Sequence, residues 1–322
     1  MRRIGCLGLI VGLLVIAALF AAMRSWTGPG PAERATTVTI PQGASVTAAA
    51  AELEQAGVIA SADRFRLLAR VLGDDEPIQA GEYRVRSHIS ASELLTQLQQ
   101  GRTLQRRVTV PEGWPSVMVQ DAVAKAGQLT GTAPLPPEGS ILPDSYDFQA
   151  GESRADVTRR MQAAMNRYLA TAWAARRPTT VAKTPREAII LASIVEKETG
   201  KAEERRMVAA VYSNRLRIGM PLQADPTVIY PITKGRPLGR RILKSELRAK
   251  NGYNTYASPG LPVGPIANPG RASIDAVLDP ENTKALYFVA DGSGGHVFAD
   301  TLEQHNANVK KWYAIRRARG EM

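Results

Sequence analysis

The feature that most constrains this 322-residue chain is a run of twenty residues without a charge, from Ile4 to Met23. At about 1.5 Å per residue, a helix of that length spans the roughly 30 Å hydrocarbon core of a bilayer. A cleaved signal peptide is the alternative, but its apolar region is typically only about 7–15 residues long. Arg2 and Arg3 precede the run and Trp26 follows it, which favours a single-pass anchor with a cytoplasmic N-terminus. We therefore expect an inner (cytoplasmic) membrane protein whose remaining chain lies on the extracytoplasmic side.

Composition excludes several classes of protein. Apolar residues make up 44% of the chain and charged residues 22%, so a packed core is feasible and global disorder is excluded. Cys6 is the only cysteine, which excludes an intramolecular disulfide and a cysteine-built metal site, and we expect it to be a small apolar residue of the anchor. The three histidines, His88, His296 and His305, are each far apart or nine residues from the next, which argues against a histidine-built zinc site. We therefore expect no metal and no cofactor.

After the anchor, the sequence predicts a tether and then a small α+β module. Residues 28–31 read Gly-Pro-Gly-Pro, which is typical of a tether. A short strand over 37–40 follows, then helices starting at Ser45 and Ser61, and a second strand over 81–86. Ser90 and Glu93 form a capping box for a third helix. The order strand–helix–helix–strand is that of a small LysM-like βααβ unit, a type that often binds cell-wall glycan.

The segment that carries chemistry is a predicted helix from Thr184 to Gly200. Thr184 is a good N-cap, Pro185 suits the first helical position, and Glu187 completes a capping box. Near its end stand Glu196 and Glu198, which point about 200° apart and cannot form a facing acid/base pair.

The apolar stripe of that helix favours one of the two glutamates. Glu198 follows Leu191, Ile194 and Val195 on the more apolar face. Burial and the negative end of the helix dipole would both raise its pKa, as a general acid requires. The alternative is that both glutamates are exposed and pair with basic neighbours, which are Lys197, Lys201 and Arg205.

Several segments of the C-terminal half resemble the endolytic murein transglycosylases of the MltG (YceG-like) type. They are LASIVEKET at 191–199, NRLRIGMPLQADPTVIY at 214–230, YNTY at 253–256, GLPVGPIANPG at 260–270 and LYFVADGSGGHVF at 286–298. The resemblance implies a mixed α+β YceG-like catalytic domain, whose partners are peptidoglycan glycan strands, the membrane and a peptidoglycan synthase. The implied boundaries are a cytoplasmic N-terminus over 1–3, an anchor over 4–23, a linker over 24–36, a LysM-like module over 37–105, and a catalytic domain over 106–322 with a connecting subdomain over about 106–182.

Such enzymes cut between N-acetylmuramic acid and N-acetylglucosamine without water, leaving 1,6-anhydro ends that terminate or trim glycan strands. The resemblance implies that Glu198 is the catalytic acid and base. Aromatic faces interleaved with amide and hydroxyl groups suit sugar rings. The candidate sugar contacts are Gln223, Asp225, Tyr253, Asn254 and Tyr256. The alternatives are that Asp225 only turns the chain before Pro226 and that the tyrosines are core residues.

Two other functions compete with this one. The first is a non-catalytic peptidoglycan-binding membrane scaffold. The second is a serine hydrolase using Ser193 and Lys197, which are four residues apart on the predicted helix but lack the usual nucleophile spacing. The net charge of +11 is concentrated in residues 231–250, which hold seven basic residues and one acidic residue. With the chain outside the cytoplasm, we interpret this charge as attraction to anionic wall polymer and lipid rather than to nucleic acid.

Overall fold

A computed structural model describes residues 2–41 and 43–321, with side chains from residue 10 onward. Met1 and the side chain of Cys6 lie outside the described residues. The chain divides into two compact units. The N-terminal unit contains Met1–Arg106 and Phe148–Gly151, and the C-terminal unit contains Arg107–Asp147 and Glu152–Met322.

The N-terminal unit begins with helix α1, Arg2–Thr27. Its segment Ile10–Thr27 has a mean hydropathy of 1.9 and is almost entirely exposed, so its length and composition would allow it to cross a membrane. The helix ends four residues later than the predicted anchor, because Trp26 is only 6% exposed and packs against Phe65. The predicted linker is bound to the module that follows it, since the Gly30 N–H donates to the Ile89 carbonyl at 3.0 Å.

The rest of this unit has the predicted strand–helix–helix–strand order and a further helix. Serine side chains cap all three helices, at Ser45, Ser61 and Ser90, and Glu93 completes the capping box. The two strands are antiparallel, with Val38 opposite Tyr83. The elements are β1 Thr36–Ile40, α2 Val46–Gln55, α3 Ala62–Leu72, β2 Gly81–Val85 and α4 Ala91–Gln99.

The C-terminal unit is built mainly of helices with two short strand pairs, β3 with β4 and β5 with β6. The mixed α+β class predicted from the sequence is therefore confirmed. Its elements are β3 Arg106–Thr109, α5 Ser116–Lys125, β4 Ser145–Phe148, α6 Arg154–Ala174, α7 Pro185–Glu198, α8 Arg205–Arg217, α9 Asp225–Thr233, α10 Lys244–Arg248, α11 Arg271–Leu278, β5 Tyr287–Ala290, β6 His296–Ala299 and α12 Leu302–Ala318.

Helix α7 lies at the centre of this unit. Every residue from Ala188 to Val195 is buried, and α6, α8 and α11 pack around them. The Thr184 hydroxyl accepts the Glu187 N–H at 3.1 Å, which confirms the predicted N-cap. The predicted capping box is wrong, because the Glu187 carboxylate accepts the Lys183 N–H instead. The helix ends before Thr199 rather than at Gly200, since Thr199 takes an extended conformation and its hydroxyl donates to the Val195 carbonyl.

Candidate active site

Glu198 is the last residue of α7 and is partly buried. Its carboxyl makes no hydrogen bond within the described part of the chain. Desolvation, reinforced by the negative charge of Asp225 and opposed by Arg215, raises the pKa of Glu198 to about 7. A carboxylic acid with that pKa is present in both protonation states near neutral pH, so it can give up a proton and take one back.

Glu196, by contrast, is held by contacts with other parts of the fold. Its side chain is 6% exposed, its carboxylate accepts the Gly270 N–H at 2.9 Å, and Arg205 lies 3.7 Å away. The sequence alternative that both glutamates are exposed is therefore wrong, although Arg205 does pair with one of them. Lys201 does not pair with Glu198, because its ammonium donates to the Ser293 hydroxyl.

Helix α8 places two buried groups beside Glu198. Arg215 donates to the Leu286 carbonyl at 2.7 Å and the Leu222 carbonyl at 2.6 Å, which fixes the guanidinium in place. Tyr212 is buried, and the proximity of Glu198 adds to the desolvation that raises the pKa of this phenol. An acidic group, a cation and a phenol therefore meet where α7 and α8 pack together.

Two loops that contain predicted sugar contacts are joined by a pair of buried threonines. The hydroxyls of Thr227 and Thr255 lie 2.8 Å apart, and the Thr255 hydroxyl also accepts the Ala224 N–H at 3.1 Å. The Gln223 N–H donates to the Thr255 carbonyl at 3.1 Å. These bonds hold residues 223–225 against residues 254–256, although about thirty residues separate the two segments.

This junction, which we call the threonine clasp, brings Asp225 next to Tyr256. The Tyr256 hydroxyl donates to the Asp225 carboxylate at 2.6 Å. The negative charge of Asp225 adds to the burial that raises the pKa of Glu198. The charge of Glu198 in turn adds to the burial that raises the pKa of Tyr256. Asp225 is exposed at the start of α9, directly before Pro226, so its carboxylate is open to solvent as well as bonded to Tyr256.

The other predicted contacts have different surroundings. Gln223 has an exposed side chain and a left-handed backbone, with φ of 55°, a conformation that is uncommon outside glycine. Tyr253 is partly buried against Tyr230, with ring centroids 4.8 Å apart. Asn254 is buried, and its amide donates to three carbonyls, of Glu246, Leu247 and Ala249, at the end of α10. The structure thus gives Asn254 backbone partners rather than a surface for a sugar.

Ser193 and Lys197 do not form a nucleophile–base pair. Ser193 is fully buried, and its hydroxyl donates to the Ile190 carbonyl while accepting the Ile266 N–H. Lys197 is exposed and donates to the Gly113 carbonyl. The serine hydrolase alternative is therefore wrong.

The sequence analysis missed Arg215, the two threonines and a second carboxyl, Glu138. The sequence does hold a sign of Arg215. It follows Tyr212 by three residues and so lies on the same buried face of α8, where an arginine is unexpected. Glu138 accepts from the Ser116 N–H at 2.9 Å and the Tyr230 hydroxyl at 3.1 Å. The threonine clasp depends on contacts distant in sequence, and no local pattern indicates it.

Comparison with known proteins assigns the chain to a family. Residues 38–311 match the model of the YceG-like family, so the chain belongs to that family. The endolytic murein transglycosylase of Bacillus subtilis is 30% identical, over 93% of this chain and 91% of the relative. The enzyme of the same name from Streptococcus pneumoniae serotype 2 is 28% identical, over 85% of this chain and 57% of the relative.

A solved structure resembles the chain as well. The crystal structure of a YceG-like protein from Listeria monocytogenes superposes with a TM-score of 0.54 at 26% sequence identity. The match covers 85% of this chain and 98% of the other. It agrees with the family assignment.

Proposed function

We propose that this chain is a membrane-anchored endolytic murein transglycosylase, a lyase that cuts the glycan strands of peptidoglycan with Glu198 as its catalytic acid and base. The observation that carries the proposal is the environment of the Glu198 carboxyl and the pKa that it produces. It ends a buried helix, makes no hydrogen bond within the described residues, and has a pKa raised to about 7. The names of the relatives from Bacillus subtilis and Streptococcus pneumoniae supply the reaction class.

The reaction that we propose needs one carboxyl group. Protonated Glu198 donates to the glycosidic oxygen between N-acetylmuramic acid and N-acetylglucosamine, and the bond from that oxygen to the muramyl anomeric carbon breaks with its electron pair on oxygen. The carboxylate then takes the proton of the muramyl 6-hydroxyl, whose oxygen bonds to the anomeric carbon. The products are a 1,6-anhydro end and a free 4-hydroxyl. No water is consumed, and Glu198 is protonated again.

We propose that the Asp225 carboxylate stabilises the positive charge that develops on the sugar as the bond breaks. Its carboxylate accepts the Tyr256 hydroxyl, which orients it, and its charge already acts on Glu198. Gln223, Tyr253 and Tyr256 remain proposed sugar contacts. We assign Asn254 to positioning, because its amide holds the end of α10 beside the loop that carries both tyrosines.

We infer the place of the proposed reaction from the anchor and the small module. With α1 in the inner membrane and the catalytic unit outside the cytoplasm, the enzyme would act on glycan as it emerges at the membrane surface. The strand–helix–helix–strand order supports a LysM-like, glycan-binding role for β1 to α4. We therefore propose that the enzyme terminates or trims new strands beside a peptidoglycan synthase.

Digestion of purified sacculi tests the proposal. We expect the parent to release fragments with 1,6-anhydro ends, identified by mass spectrometry, and Glu198→Gln to release none. Glu203→Gln, the same substitution at an exposed position five residues later, is the matched control and is expected to behave like the parent.

Two results would contradict the proposal in different ways. Release of reducing ends instead of anhydro ends would indicate a hydrolase with Glu198 and Asp225 as its carboxyl pair. Binding of sacculi without any cleavage by the parent would favour the non-catalytic scaffold.

A further inference from the structure

The N-terminal unit contains a cleft of about 560 Å³ where the end of α1 meets the module that follows it. The cleft is mostly apolar and carries an arginine on each of its two main walls. One wall is formed by Phe20, Ala21 and Arg24 of α1, and the other by Arg64, Phe65 and Leu68 of α3.

Both arginines of the cleft are exposed and free to bind an anion. Neither Arg24 nor Arg64 forms an ion pair or a side-chain hydrogen bond with any residue that the structure describes. Arg66, on the same helix as Arg64, is by contrast paired with Asp63 at 3.1 Å. The cleft therefore combines an apolar surface with two uncompensated positive charges, a combination that fits an amphipathic anion.

The position of the cleft along α1 indicates which amphipathic anion is available. Phe20 and Ala21 lie near the end of the uncharged run Ile4–Met23, and Arg24 is the first charge after that run. Leu67 and Val71 follow Arg64 by three and seven residues, on the same side of α3, and are 62% and 68% exposed. Two large apolar side chains exposed one helical turn apart suit a surface that touches lipid.

We propose that this cleft binds one anionic phospholipid of the surrounding bilayer. Its phosphate lies between Arg24 and Arg64, and an acyl chain follows Phe20 and Ala21 along α1. The lipid would fill the space between the anchor and the module, and so fix how the module stands on the membrane. The inference rests on the proposed anchoring of α1 and is independent of Glu198.

Native mass spectrometry of the full chain in mild detergent tests this site. The protein is mixed with equal amounts of phosphatidylglycerol and phosphatidylcholine, and the ratio of the two retained lipids is measured. We expect one phosphatidylglycerol to be retained in preference. Each arginine near a lipid surface contributes about fivefold to binding, so Arg24→Gln with Arg64→Gln should lower the ratio by roughly 25-fold.

The matched control is Arg70→Gln, which removes the same charge from the same helix outside the cleft. A drop in the lipid ratio for the double variant, with the parent ratio for Arg70→Gln, supports the site. Equal ratios in the parent and the double variant, or an equal drop in the control, would overturn it.

Flotation of the full chain with vesicles separates the lipid site from the anchor. A chain that floats without a lipid preference overturns the lipid site alone. A chain that does not float overturns the anchor and the lipid site together. Cleavage of sacculi in detergent is measured separately, so neither result bears on Glu198.

Discussion

Replacing Glu198 by glutamine is expected to stabilise the folded protein, but only where the parent carboxyl is ionised. The pKa of this carboxyl rises from 4.5 to about 7 in the folded state. Between those pH values the folded chain holds a proton that the unfolded chain has lost, so parent stability falls as pH rises through this window. The shift corresponds to about 3 kcal/mol in the free energy of unfolding. Glutamine cannot ionise and escapes this loss.

Urea denaturation of parent and variant at two pH values measures the effect. At pH 8 we expect Glu198→Gln to be about 3 kcal/mol more stable than the parent, and at pH 4 the two should be nearly equal. Other groups also titrate over this range, but they do so in both proteins and cancel in the difference. The transition can be followed by near-ultraviolet circular dichroism of the full chain in detergent.

Glu196→Gln is the informative contrast, because it lies two residues away on the same helix. Its carboxylate accepts the Gly270 N–H and faces Arg205, so the variant should lose about 1–3 kcal/mol at pH 8. A gain for Glu198→Gln of the same size at pH 4 and pH 8 would refute the reasoning. No gain at pH 8 would refute it as well.

Further predictions concern the groups around Glu198. The value of kcat/KM should fall about tenfold per pH unit above pH 7, because free Glu198 must carry a proton, and a flat profile to pH 9 would contradict this. Asp225→Asn should move that limb to lower pH, since it removes a negative charge that raises the pKa of Glu198; an unmoved limb in the pH–rate profile would count against it. Tyr256→Phe should lower kcat about tenfold by freeing the Asp225 carboxylate, and steady-state kinetics with an unchanged kcat would exclude that role. Thr255→Val should cost about 2 kcal/mol, because it leaves the buried Ala224 N–H without its acceptor and removes the bond between the two hydroxyls; an unchanged urea midpoint would contradict the threonine clasp.

Local elements could be predicted because the interactions that define them are short in sequence. The N-cap of α7 joins Thr184 to a residue three positions later, and the capping box at Ser90 has the same span. The difference in environment between Glu196 and Glu198 was also predictable in part, since helical spacing alone sends the two carboxyls in different directions.

Contacts between distant segments could not be predicted in this way. The threonine clasp joins two residues 28 positions apart, and the bond from Glu196 reaches Gly270, 74 positions away. Asn254 illustrates the consequence. An amide beside two tyrosines suggested a sugar contact, but the carbonyls that end α10 consume its hydrogen bonds. Polar residue types indicate a site, whereas burial decides which of them remain available to a ligand.

Glu198 and Glu138 differ in whether their carboxyl groups remain available to a ligand. Burial raises the pKa of both carboxyls. Glu138, however, accepts hydrogen bonds from Ser116 and Tyr230, so its oxygens fasten the start of α5 to α9 and are not free to reach a glycosidic oxygen. Glu198 has no such partner among the described residues and can direct its proton to a ligand. In the proposed reaction Glu198 is therefore the acid. Asp225, held by the Tyr256 hydroxyl, faces the developing charge, and the substrate's own hydroxyl rather than water closes the ring.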